Sequence, residues 1–91
     1  VTTPAWTVTF DQNALKEFRA LGATERQRIL AYLRGKIATP DDPRRFGKAL
    51  SGDLKGLWRY RIGDTRIIAS IQDQTVTVLV LRVAHRRAVY G

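Results

Sequence analysis

Leu57-Trp58-Arg59-Tyr60-Arg61-Ile62-Gly63-Asp64-Thr65-Arg66-Ile67-Ile68 is the stretch on which the fold turns. Side chains alternate along a strand, so Arg59 and Arg61 share one face while Trp58, Tyr60 and Ile62 take the other. Gly63-Asp64 reads as a two-residue hairpin turn, which pairs Ile62 with Thr65 and sets Arg61 directly opposite Arg66. Like charges in cross-strand pairs are destabilising. At roughly 5 to 7 Å two unit charges repel by about 0.6 to 0.8 kcal/mol in water, and by a few kcal/mol at an effective dielectric near 20. A single arginine here is most simply a solvated side chain lying over apolar surface. Three converging in one register serve stability poorly and suit an anion, above all a phosphate.

Working outward, Ala5-Trp6-Thr7-Val8-Thr9-Phe10 alternates cleanly and predicts a first strand. Asp11 reads as the N-cap of a helix with Leu15, Phe18 and Leu21 on one face, stopped by Gly22 at C′. Thr24 and Gln27 form a capping-box pattern opening a second helix, whose Ile29, Leu30, Leu33 and Ile37 recur at helical spacing until Thr39-Pro40. Residues 40 to 56, with Pro40, Pro43, Gly47, Gly52 and Gly56, read as a connecting loop carrying Arg44, Arg45 and Lys48. Three strands follow at about 57 to 62, 65 to 72 and 75 to 83, and the apolar run Val76 to Val83 suits a central strand covered on both faces. The expectation is an α+β fold: an N-terminal strand, a helical hairpin, then a three-stranded antiparallel meander, with the helices on one face of the sheet. Residues 1–91 read as a single domain.

Sixteen Lys plus Arg stand against eight Asp plus Glu, a formal charge of +8 with a pI near 10.9. From Lys55 onward there are seven basic residues (Lys55, Arg59, Arg61, Arg66, Arg82, Arg86, Arg87) and two acids (Asp64, Asp73), so that half calls for a polyanion. With no basic amphipathic helix bearing an aromatic apolar face, nucleic acid ranks ahead of a membrane surface. Cysteine is absent, which removes disulfides, thiolate catalysis and cysteine metal sites together. A single histidine and no carboxylate cluster at ligand spacing make a metal or other cofactor unexpected. Nothing reads as a signal peptide or membrane span, so a cytoplasmic protein is expected; the chain opens on Val1 rather than Met, which leaves its true start open.

The order strand, two helices, Leu50-Ser51-Gly52, the arginine hairpin, and the closing Val80-Leu81-Arg82-Val83-Ala84-His85-Arg86-Arg87-Ala88-Val89-Tyr90 resembles toxins of the RelE/ParE superfamily, on the RelE side. The resemblance covers essentially the whole chain, and its specific part is the hairpin together with His-Arg-x-x-Val-Tyr. It implies a type II toxin that enters the ribosomal A site and cuts mRNA by attack of a ribose 2′-hydroxyl on the adjacent phosphate. It further implies a cognate acidic, RelB-like antitoxin, in a hetero-oligomer that binds operator DNA through the antitoxin. Position by position, the family's catalytic residues fall on Arg59, Arg61, Arg66, Arg86 and Tyr90. Lysine is common at the first two positions, glycine at Ala84, an aromatic at Thr65 and an acid at Ala88.

Arginine, with a pKa above about 12, stabilises a phosphorane dianion but is a poor general base. In-line transfer at phosphorus needs positioning and charge stabilisation, which fixed guanidiniums supply bidentately. His85 is either a proton shuttle, a surface histidine at a strand end, or a phosphate or base contact. Tyr90 either stacks on a base or hydrogen-bonds a phosphate. Arg44, Arg45, Lys48, Lys55, Arg82 and Arg87 are candidate RNA contacts, and Trp6, Trp58 and Tyr60 are expected in the core. Two other readings stay open: a ParE-like gyrase inhibitor, and a non-catalytic RNA-binding module of the same fold.

Overall fold

The computed structural model describes residues 4–85. Strands β1 (Thr7–Phe10), β2 (Lys48–Ala49), β3 (Trp58–Ile62), β4 (Thr65–Gln72) and β5 (Thr77–His85) form one sheet in the order β1-β5-β4-β3-β2. β1 runs parallel to β5, and the other neighbours are antiparallel. Helices α1 (Gln12–Arg19) and α2 (Ala23–Tyr32) cover one face. Ala14 of α1 and Ile29 of α2 are fully buried there against Tyr60, Ile67, Ala69, Val78 and Val80 of the sheet. Each such isoleucine or valine contributes about 1.5 to 3 kcal/mol by leaving water. The α+β arrangement expected from the sequence is the one observed.

Local details depart from expectation. Asp11 caps α1, its Oδ1 accepting from the Ala14 N–H at 2.8 Å. Gly22, however, does not close that helix: α1 ends on Ala20, and Gly22, with φ −67° and ψ 161°, is the extended N-cap of α2. Thr24 therefore lies inside the first turn, and no side chain caps α2. The second helix does not run regularly to Thr39 either. It gives way to a π turn over Leu33–Ile37, where the Ala38 N–H donates to the Leu33 carbonyl at 2.7 Å and both Leu33 and Ile37 stay buried.

The segment expected as a loop contains a short strand, β2, paired with β3 as Lys48 opposite Arg59 and Ala49 opposite Trp58. Two residues are too few for periodicity to announce a strand. β5 begins later than expected and extends to His85, because Asp73–Thr75 forms a 3₁₀ turn and Val76 takes the left-handed conformation at φ 50°. β5 is central, with partners on both sides, but only its helix-facing Val78, Val80 and Val83 are buried. Leu79 and Leu81 are half-buried on the other face. The paired strands also shift register where Ile68 meets Arg82 and Ala69 meets Val80, so Leu81 is an extra residue in β5.

Candidate anion-binding site on the arginine hairpin

The hairpin forms in the register that its alternation dictates. Ile62 pairs with Thr65, Arg61 with Arg66, and Arg59 with Ile68. Gly63 supplies the turn's positive φ of 59°, a conformation costly for residues with a Cβ. Tyr60 and Ile62 point into the core, Trp58 lies half-buried on the same side, and Arg59 and Arg61 occupy the opposite face with Arg66. Lys48, opposite Arg59, joins them. Arg61, Arg66, Gly63 and Asp64 line a polar cavity of about 130 Å³ at the hairpin tip. Among the described residues no carboxylate lies within 4.0 Å of Arg59, Arg61, Arg66 or Lys48. Their charges are thus left for an anion from outside.

Beside this cavity lies an apolar groove of about 480 Å³ with Leu54, Leu57, Ile68 and Leu81 in its wall and Arg66 and Arg82 at its rim. Arg66 borders both. One guanidinium therefore joins a polar pocket to an apolar one.

Other predicted contacts are engaged within the fold. Arg44 binds Asp73 with Nη1–Oδ1 at 3.1 Å and Nη2–Oδ2 at 2.6 Å, also reaches Asp42 at 3.2 Å, and lies 5.9 Å over the Trp58 ring. The hydrogen bond from Arg44 holds the Asp73 carboxyl below its ordinary range. Arg45 pairs with Asp41 at 2.8 Å. Arg82 is held by Glu17 of α1, through Nε at 3.1 Å and Nη2 at 3.0 Å, and this hydrogen bonding raises the arginine's pKa. These three are neutralised locally. Lys55 is exposed after the Gly52–Leu54 turn. His85 stands opposite Thr65, in register on the face opposite Arg61 and Arg66, and the cavity wall is formed without it. Arg86, Arg87 and Tyr90 lie outside the described residues.

Sequence reasoning missed a further cation at the tip. A Cβ built on Gly63 would lie 2.9 Å from Arg28 Nη1 and 3.7 Å from its Cδ, so the α2 arginine lies along the turn. No local signal marks this approach, because α2 and the hairpin meet only in the tertiary fold. Among the described residues no group of three His, Cys, Asp or Glu side chains is placed to hold a metal ion. No helix among them is long and apolar enough to cross a membrane.

Comparison with known proteins agrees with this fold. The family described as ParE toxin of type II toxin-antitoxin system, parDE, matches residues 8–90. Toxin RelG of Mycobacterium tuberculosis is 31% identical over 85 residues, covering 93% of this chain and 95% of that protein. Toxin RelE of the same organism is 40% identical over 50 residues, 55% of this chain and 52% of its own. Among solved structures, the toxin–antitoxin complex RelBE2 of M. tuberculosis aligns with TM-score 0.83 at 29% identity, over 93% of this chain and 95% of that one. The isolated E. coli RelE toxin aligns with TM-score 0.71 at 25% identity, over 89% and 84%. The chain belongs to the ParE-toxin family of type II toxin–antitoxin systems, as a toxin of RelE type within the RelE/ParE superfamily.

Proposed function

We propose that this toxin is a ribosome-dependent endoribonuclease that cuts mRNA in the ribosomal A site. The observation that carries the reading is the convergence of Arg59, Arg61 and Arg66 on one open face without a carboxylate partner among the described residues. In the reaction the ribose 2′-hydroxyl loses its proton and its oxygen bonds to the adjacent phosphorus. The 5′-oxygen of the next nucleotide departs and takes up a proton, leaving a 2′,3′-cyclic phosphate and a free 5′-hydroxyl. Arg61 and Arg66 neutralise the phosphorane oxygens as charge builds, Arg59 and Arg86 add to that field, and Tyr90 orients the substrate. Lys48 and Lys55 take flanking phosphates, and Arg87 extends the basic path. Arg44, Arg45 and Arg82 act through the fold, since each already holds a carboxylate.

A cognate RelB-type antitoxin silences the site by laying an acidic segment over the arginine face. Charge complementarity supports this, and so do the antitoxin-bound forms of two structural relatives, the M. tuberculosis RelBE2 complex and an E. coli RelE variant with a RelB peptide. Operator DNA is then bound through the antitoxin.

The test is mRNA cleavage on programmed ribosomes. Wild type cuts, whereas Arg61→Ala and Arg66→Ala each lose at least about 10² in rate while remaining folded. Because the matching family is described by ParE, gyrase inhibition is the second reading. A wild-type protein that blocks gyrase supercoiling and leaves ribosome-bound mRNA intact would overturn the first in favour of the second.

A further inference from the structure

The guanidinium of Arg28 sits on the hairpin tip without visible reason from the fold. Ile29 beside it is fully buried and fixes the rotation of α2, which sends Arg28 toward the turn at Gly63. Gly63 is constrained by φ 59°, which asparagine also tolerates, whereas a Cβ there would meet only the side chain of Arg28 and displace its flexible end. Within the described residues Arg28 has no carboxylate and no hydrogen-bond acceptor. A third cation is thus held at a turn whose other side already carries Arg61 and Arg66. Repulsion among them argues against a stabilising role. A chain of phosphates passing over the tip would meet guanidiniums on both sides.

Resting on the RNA-cleaving reading, we propose that Arg28 is a further phosphate-binding residue, gripping the phosphate next to the scissile one as the substrate strand crosses the hairpin tip. The scissile phosphate then occupies the cavity of Arg61 and Arg66, and Arg28 lies against the turn beside it. Arg28 is a binding residue, outside the charge build-up at phosphorus.

The experiment is equilibrium binding of a short single-stranded RNA, 2′-O-methylated so that it cannot be cut, across a salt series. For a single strand, removing one cation that neutralises a phosphate lowers the slope of log K against log salt by about 0.7. Arg28→Gln is expected to weaken binding about threefold at low salt and to show that drop in slope. Arg34→Gln, removing another exposed arginine, is expected to match wild type. Gly63→Asn keeps the turn conformation and pushes Arg28 aside, so adding Arg28→Gln to it should change nothing further. Arg28→Gln binding with wild-type affinity and slope, while Arg66→Gln loses both, overturns the role of Arg28 and leaves the site standing. Wild-type binding by both variants overturns the site itself. Ribosomal RNA offers the same phosphates as mRNA, so the panel is repeated on an RNA duplex; a loss confined to the duplex overturns the placement on the substrate strand.

Discussion

Tyr60 ties the site to the core. Its hydroxyl donates to the Pro43 carbonyl at 2.7 Å, both residues being fully buried, so one strand residue anchors the loop and flanks two arginines of the open face. Burial pushes the phenol up to about 12, the Tyr32 ring nearby adding to the shift. A folded-state value above the unfolded one means that the native state holds the proton more tightly. The corresponding stability is therefore complete below pH 10 and is lost as pH rises toward about 12. Urea unfolding of wild type against Tyr60→Phe should show the variant less stable by about 1 to 2 kcal/mol at pH 7, and the gap should close toward pH 12. A gap that widens with pH would refute the assignment. Thr65 poses the opposite case: its Oγ1 is fully buried and lacks a hydrogen-bond partner among the described residues. Thr65→Val keeps the shape and removes the stranded hydroxyl, and should raise stability by about 1 kcal/mol in the same assay. His85, across the strand pair from Thr65, is in register on the face opposite Arg61 and Arg66. His85→Gln should accordingly cleave within about threefold of wild type from pH 6 to 8, whereas a loss of 10² would make the histidine the base.

At the scale of elements, β5 and α1 depend on each other through one carboxylate. Once β1 ends at Phe10 the outer edge of β5 loses its strand partner, and the Val83 N–H donates instead to Glu17 Oε1 at 2.9 Å. The same carboxylate clamps Arg82. Glu17→Ala strands the Val83 N–H and frees a cation, and should cost about 1 to 3 kcal/mol in chemical denaturation; amide exchange at Val83 should quicken more than at Val78. Equal exchange at both would show that the carboxylate does not hold the edge. Dependences of this kind also mark where the sequence is readable and where it is not. The hairpin is legible down to the Arg61–Arg66 pair because alternation and a Gly-Asp turn act between neighbours in the chain. Hidden are the π turn at Leu33–Ile37, the two-residue β2, and the parallel pairing of β1 with β5, which arise from packing between distant segments. For the site the division is the same. Arg59, Arg61 and Arg66 share a face by local rule, while the capture of Arg44 by Asp73, of Arg82 by Glu17, and the approach of Arg28 to Gly63 need the assembled fold.

For the whole molecule the formal charge of +8 sets the terms. Four of the eight acidic residues, Glu17, Asp41, Asp42 and Asp73, are taken up by Arg44, Arg45 and Arg82, and no ion pair among the described residues reaches the arginines of the hairpin face. Such a molecule is stabilised by screening: the Debye length falls from about 10 Å at 0.1 M to about 3 Å at 1 M salt, so added sodium chloride should raise the urea midpoint while weakening RNA binding. Sulfate at equal ionic strength separates screening from occupancy. It strengthens burial in any protein by exclusion from the surface, but an anion seated between Arg61 and Arg66 adds stability as RT ln(1 + [L]/Kd), an effect specific to the native cavity. The difference between sulfate and chloride should therefore be larger for wild type than for the Arg61→Ala/Arg66→Ala double variant, and that variant should start out more stable than wild type at low salt because its hairpin no longer opposes like charges. Equal sulfate increments in the two proteins would mean that the cavity holds no anion, and the arginines would then be a solvated face.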